Sequence, residues 1–237
     1  MSRGSRPADD PFTDSSADLP PFTHWRAVGQ DTAVTMSDSE YLASLEQLGR
    51  FFMGTSDVHI ALARVTKRLE ELGIPYAVCG GMALNAHGYK RATTDVDVLV
   101  TADGLKKFKE HSLGLGWLEK FPGSRGVKDA ESGVPIDFLV TGGIPGYGTE
   151  HGVTFPDPAA VSIEIAGTKY VSLAKLIEMK IASGLSSPHR LLDLDDAIRL
   201  IRINVLGEHF ADQLHPHVRD KYLELWRYAQ IRDSHAE

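Results

Sequence analysis

Cysteine is almost absent from the sequence: Cys79 is the one example in 237 residues. A single thiol excludes a disulfide within the chain, which is typical of proteins in a reducing compartment. No apolar run approaches the roughly 20 residues that a membrane-spanning helix needs, and the acidic, proline-rich N-terminus has none of the features of a signal peptide. The sequence therefore predicts a soluble, cytoplasmic protein that does not associate with a membrane.

Motifs of several common enzyme classes are also missing. The sequence has no Walker loop, no G-x-G-x-x-G and no G-x-S-x-G, which argues against the P-loop, Rossmann and serine-hydrolase classes. His209, His215 and His217 lie close together, but no cysteine or acid at a suitable spacing completes a zinc set, and a solvated turn explains them. The net charge of −7 also differs from the strong basic footprint of most nucleic-acid-binding domains.

The most informative stretch begins with a short apolar run, Ile74–Cys79, which has the length of a buried strand. The pair Gly80-Gly81 (the diglycine) ends this run, and small residues of helical composition follow over 82–88. Asp95 and Asp97 then open a second strand-like segment, whose alternation places both aspartates on one face and valines on the other. The stretch predicts a strand–helix–strand unit.

Two carboxylates that are two residues apart on a strand lie about 6.6 Å apart along the backbone, so their side chains can converge on one cation. Without a cation they repel each other, and one of them tends to keep its proton. Mg²⁺ removes this cost, since it binds a few carboxylates together with the phosphates of a substrate. The diglycine fits such a site because glycine lets a phosphate approach the backbone, and the first N–H groups of a helix attract anions. A surface strand that carries two acids is the alternative.

The motif G-G-x-A followed by R-x-T-x-D-x-D resembles the signature of the DNA polymerase β-like nucleotidyltransferase superfamily. The resemblance is closest to a small bacterial branch that includes AbiEii-type toxins and antibiotic nucleotidyltransferases. It implies an α+β fold, with a mixed β-sheet flanked by helices and a C-terminal helical subdomain. The matching residues are Gly80, Gly81, Ala83, Arg91, Thr93, Asp95 and Asp97.

The resemblance also implies a third metal-binding carboxylate on a strand next to the one that carries the pair. Asp137 is in such a setting because it interrupts the apolar run 133–140, where a buried carboxylate needs a partner. An edge-strand acid that faces water is the alternative. Asp95, Asp97 and Asp137 would then form the catalytic set and hold two Mg²⁺ ions, and the diglycine would seat the β- and γ-phosphates of the NTP.

Basic residues provide further candidates for nucleotide binding. Members of the superfamily carry a lysine on one C-terminal helix and R-x-x-D-x-x-D on the next, which here correspond to Lys180 and Arg190–Asp196. The resemblance implies that Lys180 binds the triphosphate as a point charge. A solvated helix position is the alternative for Lys180, and an i,i+3 ion pair is the alternative for Arg190 and Asp193. Arg91 is a candidate contact for a phosphate or the acceptor, with a local ion pair as its alternative.

Composition and periodicity divide the chain into three parts. Residues 1–38 are rich in Ser, Asp, Pro and Thr, which predicts a disordered or loosely docked arm. Residues 39–171 are the predicted catalytic domain, and residues 172–237 the helical subdomain. The clearest apolar stripe of that subdomain has a helical spacing and consists of Leu191, Leu194, Ile198, Ile201 and Val205.

The sequence thus favours a Mg²⁺-dependent enzyme that transfers a nucleoside monophosphate from an NTP to an acceptor and releases pyrophosphate. The resemblance leaves the acceptor open: an RNA 3′ end, a small hydroxylated molecule such as an aminoglycoside, or a protein side chain. A toxin with an antitoxin protein as its partner is one setting for this activity. A non-catalytic nucleotide-binding or regulatory partner protein is the alternative of a different class.

Overall fold

A computed structural model describes residues 37–146 and 152–231. The compact unit Leu42–Glu237 contains every strand in the described part of the chain. The predicted N-terminal arm, residues 1–38, lies almost entirely outside the described residues, and its disorder stays a prediction. Within the described ranges, no helix combines the length and the apolar character that crossing a membrane requires.

The described residues form eight α-helices and seven β-strands. The helices are α1 (Asp38–Phe52), α2 (Asp57–Glu71), α3 (Gly80–Ala86), α4 (Ala102–Ser112), α5 (Pro158–Val161), α6 (Leu173–Ser186), α7 (Leu191–Ile203) and α8 (Pro216–Gln230). The strands are β1 (Tyr76–Val78), β2 (Val96–Val100), β3 (Trp117–Glu119), β4 (Val127–Asp129), β5 (Pro135–Val140), β6 (Ser162–Ile165) and β7 (Thr168–Val171).

All seven of these strands belong to one sheet with the order β3-β4-β5-β2-β1-β7-β6. Strand β2 runs antiparallel to β1 and parallel to β5, and β1 runs parallel to β7. The outer pairs β3–β4, β4–β5 and β6–β7 are antiparallel. The sheet is therefore mixed, and helices flank it. This confirms the predicted α+β class, including the helices at the C-terminal end.

The strand alternation sorts side chains into two apolar clusters. Val78 and Val98 pack in a cluster with residues of α2 and α4. Ala77 and Leu99, which point the other way, pack in a cluster with buried residues of α6, α7 and α8. Asp97 is two residues before Leu99 on β2, so both side chains point to the side of the sheet that the C-terminal helices cover. The boundary at residue 171 between the catalytic domain and the helical subdomain stays a prediction. The second cluster contains buried residues from both sides of it.

Local sequence explains several element boundaries. The Thr101 side chain accepts a hydrogen bond from the Gly104 backbone N–H at 3.0 Å and caps α4, a position at which threonine is favoured. Strand β7 is an addition to the prediction. Its turn from β6 uses Ala166 and Gly167, both with positive φ, as a tight two-residue hairpin requires.

The predicted apolar stripe of α7 is partly wrong. Leu191 and Val205 are 63% and 87% exposed, whereas Asp193 and Asp196 are buried. The helix begins at Leu191 and ends at Ile203, so the stripe overruns it by two residues. The buried face includes two acids because basic side chains neutralise them there, and hydrophobic spacing alone does not detect such a face.

Candidate metal centre

Three carboxylates meet where β2 and β5 lie side by side. These strands pair in parallel with Asp97 directly opposite Asp137, and Asp95 is the residue just before β2. Each of the three acids offers an oxygen, and these oxygens all lie within 4.8 Å of one another. The structure thus brings together the three acids that the sequence analysis proposed; they are called the acidic triad below.

Gly80 packs against Asp97 of this triad, and Gly81 packs against Thr93, which holds Asp95. Gly80 has a φ of 57°, and a Cβ atom at this position would lie 1.8 Å from Oδ2 of Asp97. A Cβ atom at Gly81 would lie 2.6 Å from Cβ of Thr93, and the Thr93 hydroxyl donates to Oδ1 of Asp95 at 2.6 Å. Glycine is therefore required at both positions for close packing.

The electrostatic environment of Asp97 favours the protonated form. Burial raises the pKa of Asp97, and the neighbouring charges of Asp95 and Asp137 raise it further, while Lys180 and Lys120 offset part of the effect. The net result is a pKa of about 7. The triad therefore holds more negative charge than the surrounding side chains compensate, which is the situation that a bound cation relieves.

A lysine that the sequence analysis did not single out contacts the triad. The Lys120 Nζ donates to Oδ1 and Oδ2 of Asp137 at 2.6 and 2.8 Å. Lys120 follows strand β3, and 17 residues separate it from Asp137. Only the β3–β4–β5 arrangement brings the two together, so no short-range spacing in the sequence signals this pair.

A cleft of about 410 Å³ opens beside the triad. Asp97 and Asp137 line it from the sheet and Gly80 lines it from the start of α3. Lys180, Arg190 and Asp193 line it from the C-terminal helical part. Its apolar lining consists of Cys79, Phe138, Leu139, Ile144, Pro145, Phe155, Leu176 and Met179, and Gly146 and Ser183 complete the wall. Burial raises the pKa of the Cys79 thiol, so this residue is a packing group of the cleft and not a thiolate nucleophile.

The predicted phosphate ligand Lys180 lies in the wall of this cleft between two acids of α7. Its Nζ is 2.7 Å from Oδ1 of Asp193 and 2.7 Å from Oδ2 of Asp196. Arg190 also contacts Asp193, at 2.9 Å. The R-x-x-D-x-x-D segment therefore has a structural role, since its two acids form ion pairs with Lys180 of α6 and the first of them also pairs with Arg190.

Arg91 forms an ion pair, but with a residue that is distant in the sequence. Its Nη1 is 2.5 Å from Oδ2 of Asp196, and its side chain is 38% exposed. Asn85 fixes the Arg91 backbone, donating to its carbonyl at 2.6 Å and accepting from its N–H at 3.2 Å. Lys180 and Arg91 thus share Asp196, and the loop before β2 is joined to α7 through that carboxylate.

Two other acids, which lie between β4 and β5 or at the end of β4, form ion pairs away from the triad. Asp129 is fully buried at the end of β4, where Arg64 Nη2 lies 3.3 Å from its Oδ1. Ser132 donates to Asp129 Oδ2 through both its backbone N–H and its hydroxyl, and Glu131 pairs with the same arginine. These contacts take both acids away from the triad.

The similarity of this chain to known proteins concerns its fold. No protein-family profile and no curated protein matches the sequence. Two solved structures resemble the fold: the crystal structure of ANT(2″)-Ia in complex with adenylyl-2″-tobramycin, and the solution structure of the antibiotic-resistance factor ANT(2″)-Ia. The first has 15% identity and a TM-score of 0.47, and covers 71% of this chain and 97% of its own. The second has 15% identity and a TM-score of 0.43, and covers 68% and 91%. Likeness at this level carries no argument about activity, which has to come from the site itself.

Proposed function

We propose that the protein is a nucleotidyltransferase, which moves a nucleoside monophosphate from an NTP to a hydroxyl or phosphate of an acceptor and releases pyrophosphate. The observation that carries this proposal is the acidic triad at the edge of the cleft. Its three carboxylate oxygens lie within 4.8 Å of one another, and the cleft is also lined by Gly80 and, from the helical wall, by Lys180 and Arg190.

The donor set of the triad fits Mg²⁺. Hard divalent cations prefer carboxylate oxygens, and Mg²⁺ typically binds one or two carboxylates together with substrate phosphates. Burial raises the pKa of Asp97 most, and the charges of Asp95 and Asp137 raise it further, to about 7, so a cation bound here would favour the ionised form. In the proposal Asp95, Asp97 and Asp137 hold the metal, as two ions when the NTP is present.

Other residues of the cleft would bind the triphosphate together with the metal. Bound Mg²⁺ supplies charge neutralisation of the triphosphate and lowers the pKa of the attacking hydroxyl. Gly80 and Gly81 are proposed to seat the β- and γ-phosphates through their backbone, since Gly80 lines the cleft next to Asp97 and glycine lets a phosphate approach the main chain. Lys180 presents its positive charge to the same cleft while it bridges Asp193 and Asp196.

Arg91 is proposed to act at the edge of the site. Its side chain is 38% exposed and its guanidinium is anchored at one end by Asp196, which leaves further N–H groups for a phosphate or an acceptor. A partly exposed, anchored arginine is well suited to such a contact because its planar fork loses little entropy when it binds.

The acceptor is proposed only by class, as a molecule with a nucleophilic hydroxyl or phosphate. A toxin acting on an RNA 3′ end and an enzyme acting on an aminoglycoside are the two settings to test. The net charge of −7 gives no general attraction for RNA, so a small hydroxylated acceptor is tested first.

The experiment is incubation with each α-phosphate-labelled NTP and Mg²⁺, together with total cellular RNA or with a panel of aminoglycosides. We expect label transfer to one acceptor class and equimolar pyrophosphate. A protein with Asp95→Asn and Asp97→Asn is the control and should transfer nothing. Transfer that persists in this control, or pyrophosphate release that is equal in both proteins, would contradict the proposal.

A further inference from the structure

The Lys120 side chain contacts the acidic triad and is mostly shielded from solvent. Its Nζ contacts both oxygens of Asp137, at 2.6 and 2.8 Å. The Lys120 side chain is only 24% exposed, and its charge acts on Asp97 as well, where it lowers the pKa. Lys120 is therefore the cation that directly contacts the triad in the described residues.

The surrounding chain is shaped to keep Lys120 in this place. Lys120 and Gly126 are the two ends of a hairpin turn between β3 and β4, joined by a backbone hydrogen bond of 3.4 Å. A Cβ atom at Gly126 would lie 2.6 Å from Oδ1 of Asp137 and 2.8 Å from Cδ of Lys120. Glycine at this position thus makes room for the ion pair.

We infer that Lys120 is the resident counter-cation of the triad and that it competes with a divalent metal ion for Asp137. The inference rests on the metal site proposed above. A metal ion bound by all three acids needs an oxygen of Asp137, and Lys120 contacts both of them. Two positive charges at one carboxylate repel each other, so metal binding displaces Lys120 or is weakened by it. In the metal-free protein, Lys120 reduces the repulsion among the three acids.

The test compares Mn²⁺ binding, as a probe for Mg²⁺, in the full chain and in three variants by isothermal titration calorimetry at pH 8.5. Lys120→Met removes the charge and Lys120→Arg retains it. Lys109→Met is the matched control, because Lys109 pairs with Glu119 at 2.7 Å near the same hairpin and is 19% exposed. We expect Lys120→Met to bind Mn²⁺ roughly tenfold more tightly, while Lys120→Arg and Lys109→Met bind it as the unmodified chain does.

Thermal unfolding of the same proteins separates this role from a purely structural one. Lys120→Met should unfold at a lower temperature than the unmodified chain without metal, and Mn²⁺ should raise its unfolding temperature more. Lys120→Gln serves as a second neutral variant if the methionine variant does not fold.

Each outcome is decisive for the inference. An unchanged or weaker Mn²⁺ affinity in the neutral variants overturns the role of Lys120 and leaves the proposed transferase activity standing. Absence of Mn²⁺ binding in every protein overturns both the metal site and the inference. A loss of thermal stability without tighter Mn²⁺ binding reduces Lys120 to a structural ion pair.

Discussion

Asp97 and Asp193 line the same cleft, one on the sheet and one on the helices, yet their pKa values shift in opposite directions. Burial and two acidic neighbours raise the pKa of Asp97 to about 7. Burial also acts to raise the pKa of Asp193, but Lys180, Ser183 and Arg190 outweigh it and hold that pKa below its usual value. Burial by itself therefore does not decide which acid keeps its charge.

The difference follows from how many cations each side of the cleft supplies. The two acids of the helical side, Asp193 and Asp196, are in contact with three cations: Lys180, Arg190 and, from the loop before β2, Arg91. On the sheet side there are three acids, and among the described residues Lys120 is the one cation in contact with them, through Asp137. One side is a compensated structural network, and the other is a site with unmet negative charge. The predictions below test this contrast.

The largest expected effect is on catalysis, at the sheet side. Asp95→Asn, Asp97→Asn and Asp137→Asn should each reduce nucleotidyl transfer by several orders of magnitude, because metal-assisted displacement needs the full ligand set. Label transfer from the NTP is the measurement. Asp195→Asn is the matched control, since Asp195 on α7 is 46% exposed and pairs only at 3.5 Å with Arg199. Full activity of the Asp137 variant would remove that residue from the site.

The next effect is on stability, at the helical side. Lys180→Met should lower the free energy of unfolding by about 1.5–3 kcal/mol, since two buried carboxylates each lose a charge-assisted hydrogen bond but keep an arginine partner. Thermal and urea unfolding measure this loss. Lys221→Met is the control: its partner Glu224 is 43% exposed, and such pairs contribute less than about 1 kcal/mol. Equal stability losses in the two variants would show that the network around Lys180 is not a compensated core.

Nucleotide affinity separates the two roles assigned to Lys180. The stability loss predicted above comes from its contacts with Asp193 and Asp196, whereas phosphate binding requires its charge in the cleft. Lys180→Arg should restore most of the stability but only part of the NTP affinity, because the guanidinium fork does not reproduce a point charge. NTP affinity that is unchanged in Lys180→Arg and Lys180→Met alike would remove Lys180 from nucleotide binding.

A smaller effect is the pH dependence of stability. The pKa of Asp97 in the folded protein, about 7, lies above the ordinary value of 3.8. Between these values the folded state binds a proton that the unfolded chain has released, so stability falls as the pH rises from about 4 to 7. Asp97→Asn removes this penalty. The variant should melt several degrees above the unmodified chain at pH 8 and close to it at pH 5, in metal-free buffer.

Asp193 should show the opposite sign. Its pKa is lowered in the folded protein, so its contribution to stability is present above the unfolded value and is lost as the pH falls through the folded value. Asp193→Asn should therefore reduce stability at pH 8, where Asp97→Asn increases it. Melting shifts of the same sign at pH 8 would contradict the contrast between the two sides of the cleft.

The local parts of the fold were predictable from the sequence. Alternation placed Asp97 opposite the valines of β2, and the diglycine marked the end of β1. The apolar run around Asp137 predicted a strand, and the pairing of β2 with β5 sets it beside Asp97. These features depend on periodicity and on turn residues, which are properties of neighbouring positions.

The parts that were missed depend on contacts between distant residues. Lys120 reaches Asp137 only because β4 lies between β3 and β5. The buried acids of α7 follow from Lys180 and Arg91 on other elements, so an apolar stripe could not reveal them. Leu42, Leu45 and Leu48 of α1 have a helical spacing but are exposed. Such spacing identifies the apolar face of a helix, and it does not show whether another element packs against that face.

The central claim is that the acidic triad is a divalent-metal site, and the location of bound Mn²⁺ tests it most directly. Crystals of the full chain would be soaked with Mn²⁺ and a non-hydrolysable NTP analogue, and anomalous difference maps recorded at the manganese absorption edge. The account predicts anomalous peaks within coordination distance of Asp95, Asp97 and Asp137, and no peak at this place in the Asp95→Asn, Asp97→Asn variant. Peaks elsewhere, such as at Asp129 and Glu131, or none at the triad with the nucleotide bound, would contradict it.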